Sequence, residues 1–93
     1  MNVIYGPARV ILRLPMNSNA SDADIDKAIE LVPSLQPGLR LSGHNPKIGQ
    51  WPMVGTIVRV WREGKQICQE ATIDPGVEVD MFPQVYVQVD VVS

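Results

Sequence analysis

The residues best suited to chemistry in this chain lie in one loop, Gly43 to Pro52. The loop holds the only histidine, His44, together with Lys47 and Trp51, and its two prolines restrict the backbone. A stiff loop that carries an aromatic and a titratable ring is a typical position for recognition residues. The loop therefore supplies the first candidate binding residues, although it matches no motif that names a reaction.

Catalysis by His44 would need a nucleophile or a second acid–base group beside it. Ser42 is the only serine or cysteine close to it in sequence, and no carboxylate occurs between residues 31 and 62. A metal site at this histidine would lack further ligands nearby for the same reason. We therefore predict an exposed loop histidine, no catalytic residue, no metal site and no cofactor.

The alternating carboxylates Asp22, Asp24 and Asp26 superficially match the first ligands of a calcium-binding loop. Such a loop needs glycine at its sixth position and glutamate at its twelfth, but these positions are Lys27 and Pro33. Acidic residues in the first turn of a helix are favoured by the positive end of the helix dipole. Helix capping is therefore the better interpretation of these aspartates.

Two tryptophans, Trp51 in the loop and Trp61 in a predicted strand, can provide an aromatic platform for a sugar ring or a base. The alternative is that each tryptophan covers one edge of the hydrophobic core. Arg40 precedes the loop and Arg59 lies near Trp61 in the sequence, so both add positive charge near these rings. The candidate binding residues are His44, Lys47, Trp51, Arg40, Arg59 and Trp61.

The twelve residues Leu41 to Pro52 resemble a segment of starch-binding modules, which runs approximately Val-x-Gly-Ser-x-Pro-x-Leu-Gly-x-Trp. In that family the tryptophan stacks on a glucose ring, so the resemblance implies a carbohydrate contact for Trp51 alone. Starch-binding modules are all-β sandwiches. The helix predicted just upstream of this segment departs from that fold.

Length and composition indicate one soluble domain over residues 1–93, with 45% hydrophobic residues and a net charge of −2. The charge is uneven: residues 66–93 contain five acidic and no basic residues, while residues 40–65 contain one acidic residue, Glu63, and five basic ones. The five are Arg40, Lys47, Arg59, Arg62 and Lys65. We interpret this asymmetry as two solvated faces rather than a nucleic-acid site, with acidic strands available to neutralise the basic segment.

The single cysteine, Cys68, excludes an intrachain disulfide and lies in a predicted strand, where a free thiol usually behaves as a small buried apolar group. No apolar run is long enough to cross a bilayer, and the N-terminus lacks the pattern of a signal peptide. We therefore expect a cytoplasmic protein without a membrane partner.

One helix is clearly predicted by the sequence. Ser21 is a favourable N-cap with Asp24 three residues later, and apolar residues recur with helical spacing from Ile25 to Val32. Pro33 disfavours helical backbone at Val32, so the helix should end there or slightly earlier.

Alternating apolar residues predict the strands. They comprise a short extension at Val3 to Tyr5, Ala8 to Leu14, Leu39 to Ser42, a strand from Val54, Gln66 to Ile73, Val77 to Met81, and Val85 to Val92. Three turns are expected: a type I turn at Glu63-Gly64, a wider type II connection at Asp74-Pro75-Gly76, and a bend at Phe82-Pro83.

These elements predict an α+β domain in which one amphipathic helix packs on a curved, mostly antiparallel sheet of five to six strands, in the order β-α-β-β-β-β. One helix cannot cover so many strands, so either the sheet curls or a second copy covers the remainder. The terminal strand is either an edge that invites such pairing or a central strand; both alternatives stay open.

We expect a small non-enzymatic binding or accessory protein that acts through a protein-interaction surface and forms a homodimer. Short cofactor-free chains of this kind are common among phage and mobile-element accessory proteins. The alternative is a small-ligand, carbohydrate-like binding module or a small enzyme with a pocket beside loop 43–52.

Overall fold

The computed structural model describes residues 3–15, 19–80 and 88–92 of the chain. In chain order its elements are strands β1 (Val3–Tyr5) and β2 (Ala8–Pro15), helix α1 (Asp22–Leu31), a 3₁₀ helix (Pro33–Leu35), and strands β3 (Arg40–Ser42), β4 (Met53–Glu63), β5 (Gln66–Ile73), β6 (Glu78–Asp80) and β7 (Gln88–Val92). The predicted α+β fold, with one helix on an antiparallel sheet, is confirmed. None of the helices in these ranges is both long and apolar enough to cross a membrane.

The strands form two sheets. Five of them pair antiparallel in the order β3-β4-β5-β2-β7, while β1 and β6 pair with each other as a separate two-stranded sheet. The predicted type II connection causes this separation: Val77 N–H donates to Asp74 C=O at 3.2 Å, and Gly76 has a φ of +74°. The turn directs the chain out of the larger sheet, so β6 pairs with β1 instead of with β5.

Helix α1 begins where the sequence predicts. Ser21 accepts a hydrogen bond from the backbone N–H of Asp24, whose side chain accepts from the N–H of Ser21, completing a capping box. Ile25 is fully buried, whereas Val32 already has extended backbone before Pro33. Arg62 on β4 donates to Asp26 at 2.7 Å, and this bond helps hold the helix against the sheet.

The core lies between the inner face of the five-stranded sheet and the small β1–β6 sheet. Val10 and Leu12 are buried as the alternation in β2 predicts, with Leu14 partly buried against them. Ile4 and Val79, which are paired across the small sheet, join the same apolar cluster. The small sheet and α1 together therefore cover parts of the inner face that one helix could not cover alone.

A bulge in β4 corrects the simple alternation predicted for that strand. Ile57 pairs with Ala71, but Arg59 pairs with Glu70, so Val58 is the extra residue. Ile57 is buried on the inner face while Arg59 and Trp61 lie on the opposite face. Without the bulge, all three residues would share one side of the sheet.

The β4–β5 hairpin is tighter than the predicted type I turn. Glu63 pairs with Gln66, which leaves Gly64 and Lys65 as a two-residue loop. Gly64 has a φ of +59°, as predicted, and no other residue type in the described ranges has a positive φ. A positive φ at the first loop residue alone is the pattern of a type II′ turn, whose twist matches that of the two strands. The predicted turn type was therefore wrong.

The sequence left open whether the terminal strand is an edge strand or a central strand, and β7 is the described part of that segment. It pairs with β2 and, within the described chain, lies at the edge of the five-stranded sheet. The predicted bend at Phe82-Pro83 and the start of the predicted strand at Val85 lie outside the described residues.

Candidate functional site

Loop 43–52 folds back on itself as a small turn. Asn45 N–H donates to Gln50 C=O at 2.8 Å, and the N–H of Gly49 donates to Asn45 C=O at 2.8 Å. The side-chain oxygen of Asn45 also accepts from the N–H of Lys47 at 2.9 Å, which is an Asx turn. These bonds give the loop a defined shape.

The loop is fixed to the small sheet at two points. The backbone N–H of Asp80 donates to His44 C=O at 2.6 Å, and Lys47 Nζ lies 3.1 Å from Glu78 Oε2. Tyr5 donates its hydroxyl to Glu78 Oε1 at 2.8 Å, so one carboxylate connects the loop with β1. We call loop 43–52, together with Tyr5, Met53, Glu78 and Asp80, the loop-end surface.

Glu78 is the electrostatic centre of this surface. The hydroxyl of Tyr5 and the ammonium of Lys47 stabilise its charged form and hold the pKa of its carboxyl below the ordinary value. The same contacts raise the pKa of the Tyr5 hydroxyl and that of the Lys47 ammonium. Among the described residues, Oε2 has no partner in hydrogen-bonding geometry, and its contact with Lys47 is an ion pair.

Within the described ranges, two polar atoms beside this group are buried without a hydrogen-bond partner. They are Nδ1 of His44 and Oδ1 of Asp80, a residue only 2% exposed. The two residues face each other in an antiparallel bridge, so their side chains lie on the same side of it. Buried polar atoms without partners cost stability and call for an explanation when they occur together. This pair is one reason to treat the loop-end surface as a functional candidate.

Large apolar side chains are exposed on the same surface. The exposed fractions are 63% for Tyr5, 57% for Ile48, 58% for Trp51 and 59% for Met53. The Trp51 indole lies 5.3 Å from the His44 imidazole, measured between ring centroids, with the rings tilted by 47°. His44 is thus half-buried against Trp51, which corrects the expectation of an exposed histidine.

The other predicted site residues lie on the outer face of the five-stranded sheet, opposite the core. Arg59 stacks on the Trp61 ring at 4.2 Å from its centroid, and its guanidinium lies 3.6 Å from Glu70. Arg40 makes a two-point contact with Asp74, at 2.7 and 3.3 Å, and donates to Thr56 at 3.0 Å. The structure therefore groups His44, Lys47 and Trp51 on the loop-end surface and assigns the other three to the outer face.

Arg13 on β2 connects β4 and β7 on the outer face, close to Trp61. It donates to Asp90 on β7 and to Glu63 on β4, both at 2.8 Å, and lies over the fully buried Cys68. Burial, followed by the hydrogen bond to Glu63, raises the pKa of the Cys68 thiol to about 11. The predicted buried cysteine is confirmed, and its thiol is in the inert protonated form at neutral pH.

Carboxylates neutralise the basic middle segment of the chain. All five basic residues of positions 40–65 have a carboxylate oxygen within 3.6 Å. Their partners are Asp74 for Arg40, Glu78 for Lys47, Glu70 for Arg59, Asp26 for Arg62, and Asp22 for Lys65. The acidic residues come from helix α1, strands β5 and β6 and the turn that follows β5, so the tertiary structure places a carboxylate beside each basic residue of this segment.

Sequence reasoning missed Tyr5, Glu78 and Asp80 at the loop-end surface. Each lies in a three-residue strand, too short for an alternating pattern to reveal which face a side chain occupies. The only available signal was the isolated acidic pair at positions 78 and 80, whose spacing of two residues predicts a shared strand face. Nothing in the sequence indicated that loop 43–52 would pack beside it.

A shallow pocket of about 330 Å³ lies on another part of the molecule, lined by Pro7, Arg9, Thr72 and Val92 among others, and includes no residue of loop 43–52. Within residues 3–15, 19–80 and 88–92, no cluster of three histidine, cysteine or acidic side chains is arranged to hold a metal ion. No known protein family, curated protein or solved structure matches this chain.

Proposed function

We propose that this protein is a non-enzymatic binding or accessory protein that engages a partner protein through its loop-end surface. The observation that carries the proposal is the exposure of Tyr5, Ile48, Trp51 and Met53, each at more than half of its surface. Single exposed apolar residues are ordinary on protein surfaces, whereas a concentration of them typically marks an interaction site. Here all four belong to one loop or its immediate neighbours.

The fixed conformation of the loop supports the same proposal. Its internal hydrogen bonds and its attachment to Glu78 and Asp80 hold Trp51 in place before a partner arrives. A preorganised contact residue loses little conformational freedom on binding. Tryptophan is also among the residues that most often dominate the energetics of protein interfaces.

Trp51→Ala tests the proposal, with Leu31→Ala as the matched control. Leu31 is 64% exposed on α1 and provides a similar apolar deletion away from the loop. With a partner isolated from the native host, we expect Trp51→Ala to weaken binding more than about tenfold and Leu31→Ala to leave it nearly unchanged. Hydrogen exchange should show slower exchange in residues 43–52 of the complex. The proposal would be contradicted if both variants lost the same binding affinity. It would also be contradicted if hydrogen exchange slowed only in segments outside residues 43–52.

A carbohydrate-like ligand is the second candidate, favoured by the exposed Trp51 indole beside the His44 ring. Sugar rings stack on such aromatic faces. Maltooligosaccharides should then change the tryptophan fluorescence of the native protein and of Trp61→Phe, but not of Trp51→Phe. A spectrum that does not respond to these sugars would remove this candidate.

The proposal also assigns the protein to the cytoplasm, as an accessory factor of the kind encoded by phages and mobile elements. Support comes from the single cysteine, which is held as a buried protonated thiol. Proteins of oxidising compartments more often pair their cysteines in disulfides.

A further inference from the structure

The buried polar atoms that lack hydrogen bonds are concentrated at one place in this molecule. In the described ranges, three side-chain atoms are buried without such a partner: His44 Nδ1, Glu78 Oε2 and Asp80 Oδ1. All three belong to the loop-end surface, and Glu78 and Asp80 share one face of β6 because they are two residues apart. Each unpaired buried atom costs stability, so their concentration at one place calls for a physical reason.

Glu78 is compensated by its own contacts. The Lys47 ammonium lies 3.1 Å from Oε2 and balances the charge of the carboxylate. Tyr5 donates its hydroxyl to the other oxygen, Oε1, at 2.8 Å. Both contacts are made by Glu78, so they leave His44 Nδ1 and Asp80 Oδ1 unexplained.

His44 and Asp80 are placed so that each can satisfy the other. They lie opposite each other in an antiparallel bridge, in which Asp80 N–H donates to His44 C=O at 2.6 Å. Opposing Cβ atoms in such a bridge lie about 5 Å apart, and Nδ1 and Oδ1 are each bonded to the Cγ of their residue. Rotation about the side-chain bonds can therefore bring the two atoms to hydrogen-bond distance.

The chemistry of the two atoms decides which of them donates. An ionised carboxylate only accepts hydrogen bonds, whereas a neutral imidazole has one donor nitrogen and one acceptor nitrogen. A bond to Asp80 therefore requires the proton of His44 on Nδ1 and leaves the lone pair on Nε2. Nε2 is not one of the buried unpartnered atoms and makes no hydrogen bond within the described chain, so it is open to solvent.

We propose that Asp80 holds His44 in its Nδ1–H tautomer, so that Nε2 forms a hydrogen-bond acceptor subsite of the loop-end surface. Asp80 is then a positioning residue, because it acts on a partner only through His44. The subsite deepens the proposed function and rests on it, whereas the tautomer belongs to the free protein and is measured without a partner.

The surroundings of Nε2 indicate which donor fits. The Trp51 and His44 ring centroids lie 5.3 Å apart, so a group that reaches Nε2 also meets the indole. Ile48 and Met53, also exposed on this surface, are apolar. A hydroxyl carried on an apolar ring matches both properties, because the ring packs on the indole while its O–H donates to Nε2. The structure therefore favours a tyrosine side chain of the partner protein as the occupant of this subsite.

The tautomer of His44 is the first test. His44 is the only histidine of the chain, so ¹⁵N NMR observes its ring nitrogens without overlap from another imidazole. At about pH 8.5, where an imidazole is neutral, we expect the proton on Nδ1 in the native protein. Asp80→Ala removes the acceptor and should lower the share of the Nδ1–H tautomer at least about twofold. Glu78→Gln is the control, because it alters the neighbouring carboxylate and should leave the proton on Nδ1.

Two results of this measurement would overturn the proposal. One is a native protein whose imidazole proton is on Nε2, a result that does not depend on whether Asp80→Ala folds. The other is a folded Asp80→Ala variant with the native tautomer, because Asp80 would then have no influence on the ring.

Phenol tests the acceptor subsite, with anisole as the matched control. Anisole has a methyl group in place of the hydroxyl proton, so it keeps the ring but cannot donate. At equal millimolar concentration, we expect phenol to shift the Nε2 resonance at least about twofold more than anisole does. Trp51→Ala should reduce the phenol shift, because it removes the ring that packs on the phenol.

Equal shifts with phenol and anisole, or no response to phenol, would overturn the subsite. The proposed partner surface would still stand in that case, because the loss of partner binding in Trp51→Ala tests it separately.

Discussion

Glu78 connects loop 43–52 to β1 through the two oxygens of one carboxylate. The Tyr5 hydroxyl and the Lys47 ammonium favour its charged form, so the pKa of this carboxyl is lower in the folded than in the unfolded protein. The unfolded chain therefore takes up a proton first as the pH falls. The stability contributed by Glu78 is complete above its ordinary pKa and is lost as the pH falls through the lower folded value.

Tyr5→Phe and Lys47→Met should each raise the pKa of Glu78 toward its ordinary value, because each removes one of the groups that stabilise the carboxylate. Carboxyl chemical shifts followed by NMR across the acidic range measure this directly. Lys27→Met is the control, since Lys27 is exposed on α1. If the Glu78 titration were the same in all variants, this account of the loop attachment would be wrong.

Helix α1 begins with a capping box made by Ser21 and Asp24. Ser21→Ala removes the side-chain acceptor for the Asp24 N–H, and we expect the free energy of unfolding to fall by about 1 kcal/mol. Ser34→Ala is the control, because the adjacent 3₁₀ helix has no side-chain cap. Urea denaturation of both variants gives the comparison. If Ser21→Ala and Ser34→Ala lowered the free energy of unfolding equally, the capping bond would not stabilise the helix.

Among the elements, the helix was predictable and the faces of β4 were not. Capping residues, helical spacing and Pro33 are local signals, and they define α1 without reference to the rest of the chain. The bulge at Val58 has no such signal in the sequence. It forms because Ile57 packs in the core while Arg59 pairs with Glu70 on the outer face.

The two sheets share one core, so the small sheet should unfold together with the large one. Ile4→Ala removes a nearly buried side chain that packs in the common cluster, and we expect a loss of about 2–5 kcal/mol in the free energy of unfolding. Tryptophan fluorescence and far-ultraviolet circular dichroism should follow a single transition in urea.

Val3→Ala is the control for this substitution, because Val3 is the neighbouring residue on β1 and is 40% exposed. We expect Val3→Ala to lower the free energy of unfolding by less than about 0.5 kcal/mol. A fluorescence transition that precedes the dichroism transition in Ile4→Ala would show that the loop-end surface unfolds separately.

Local sequence signals were enough to predict the helix, the strands with regular alternation, the burial of Cys68 and a stiff loop carrying His44, Lys47 and Trp51. These features depend on local backbone preferences and on periodic apolar residues, which a single segment contains in full. Long-range contacts, in contrast, bring Tyr5, Glu78 and Asp80 to that loop and keep Arg40, Arg59 and Trp61 on the outer face. Both results depend on pairing between distant strands, with β1 and β6 more than seventy residues apart, and on one extra residue in β4. No short stretch of sequence contains those contacts.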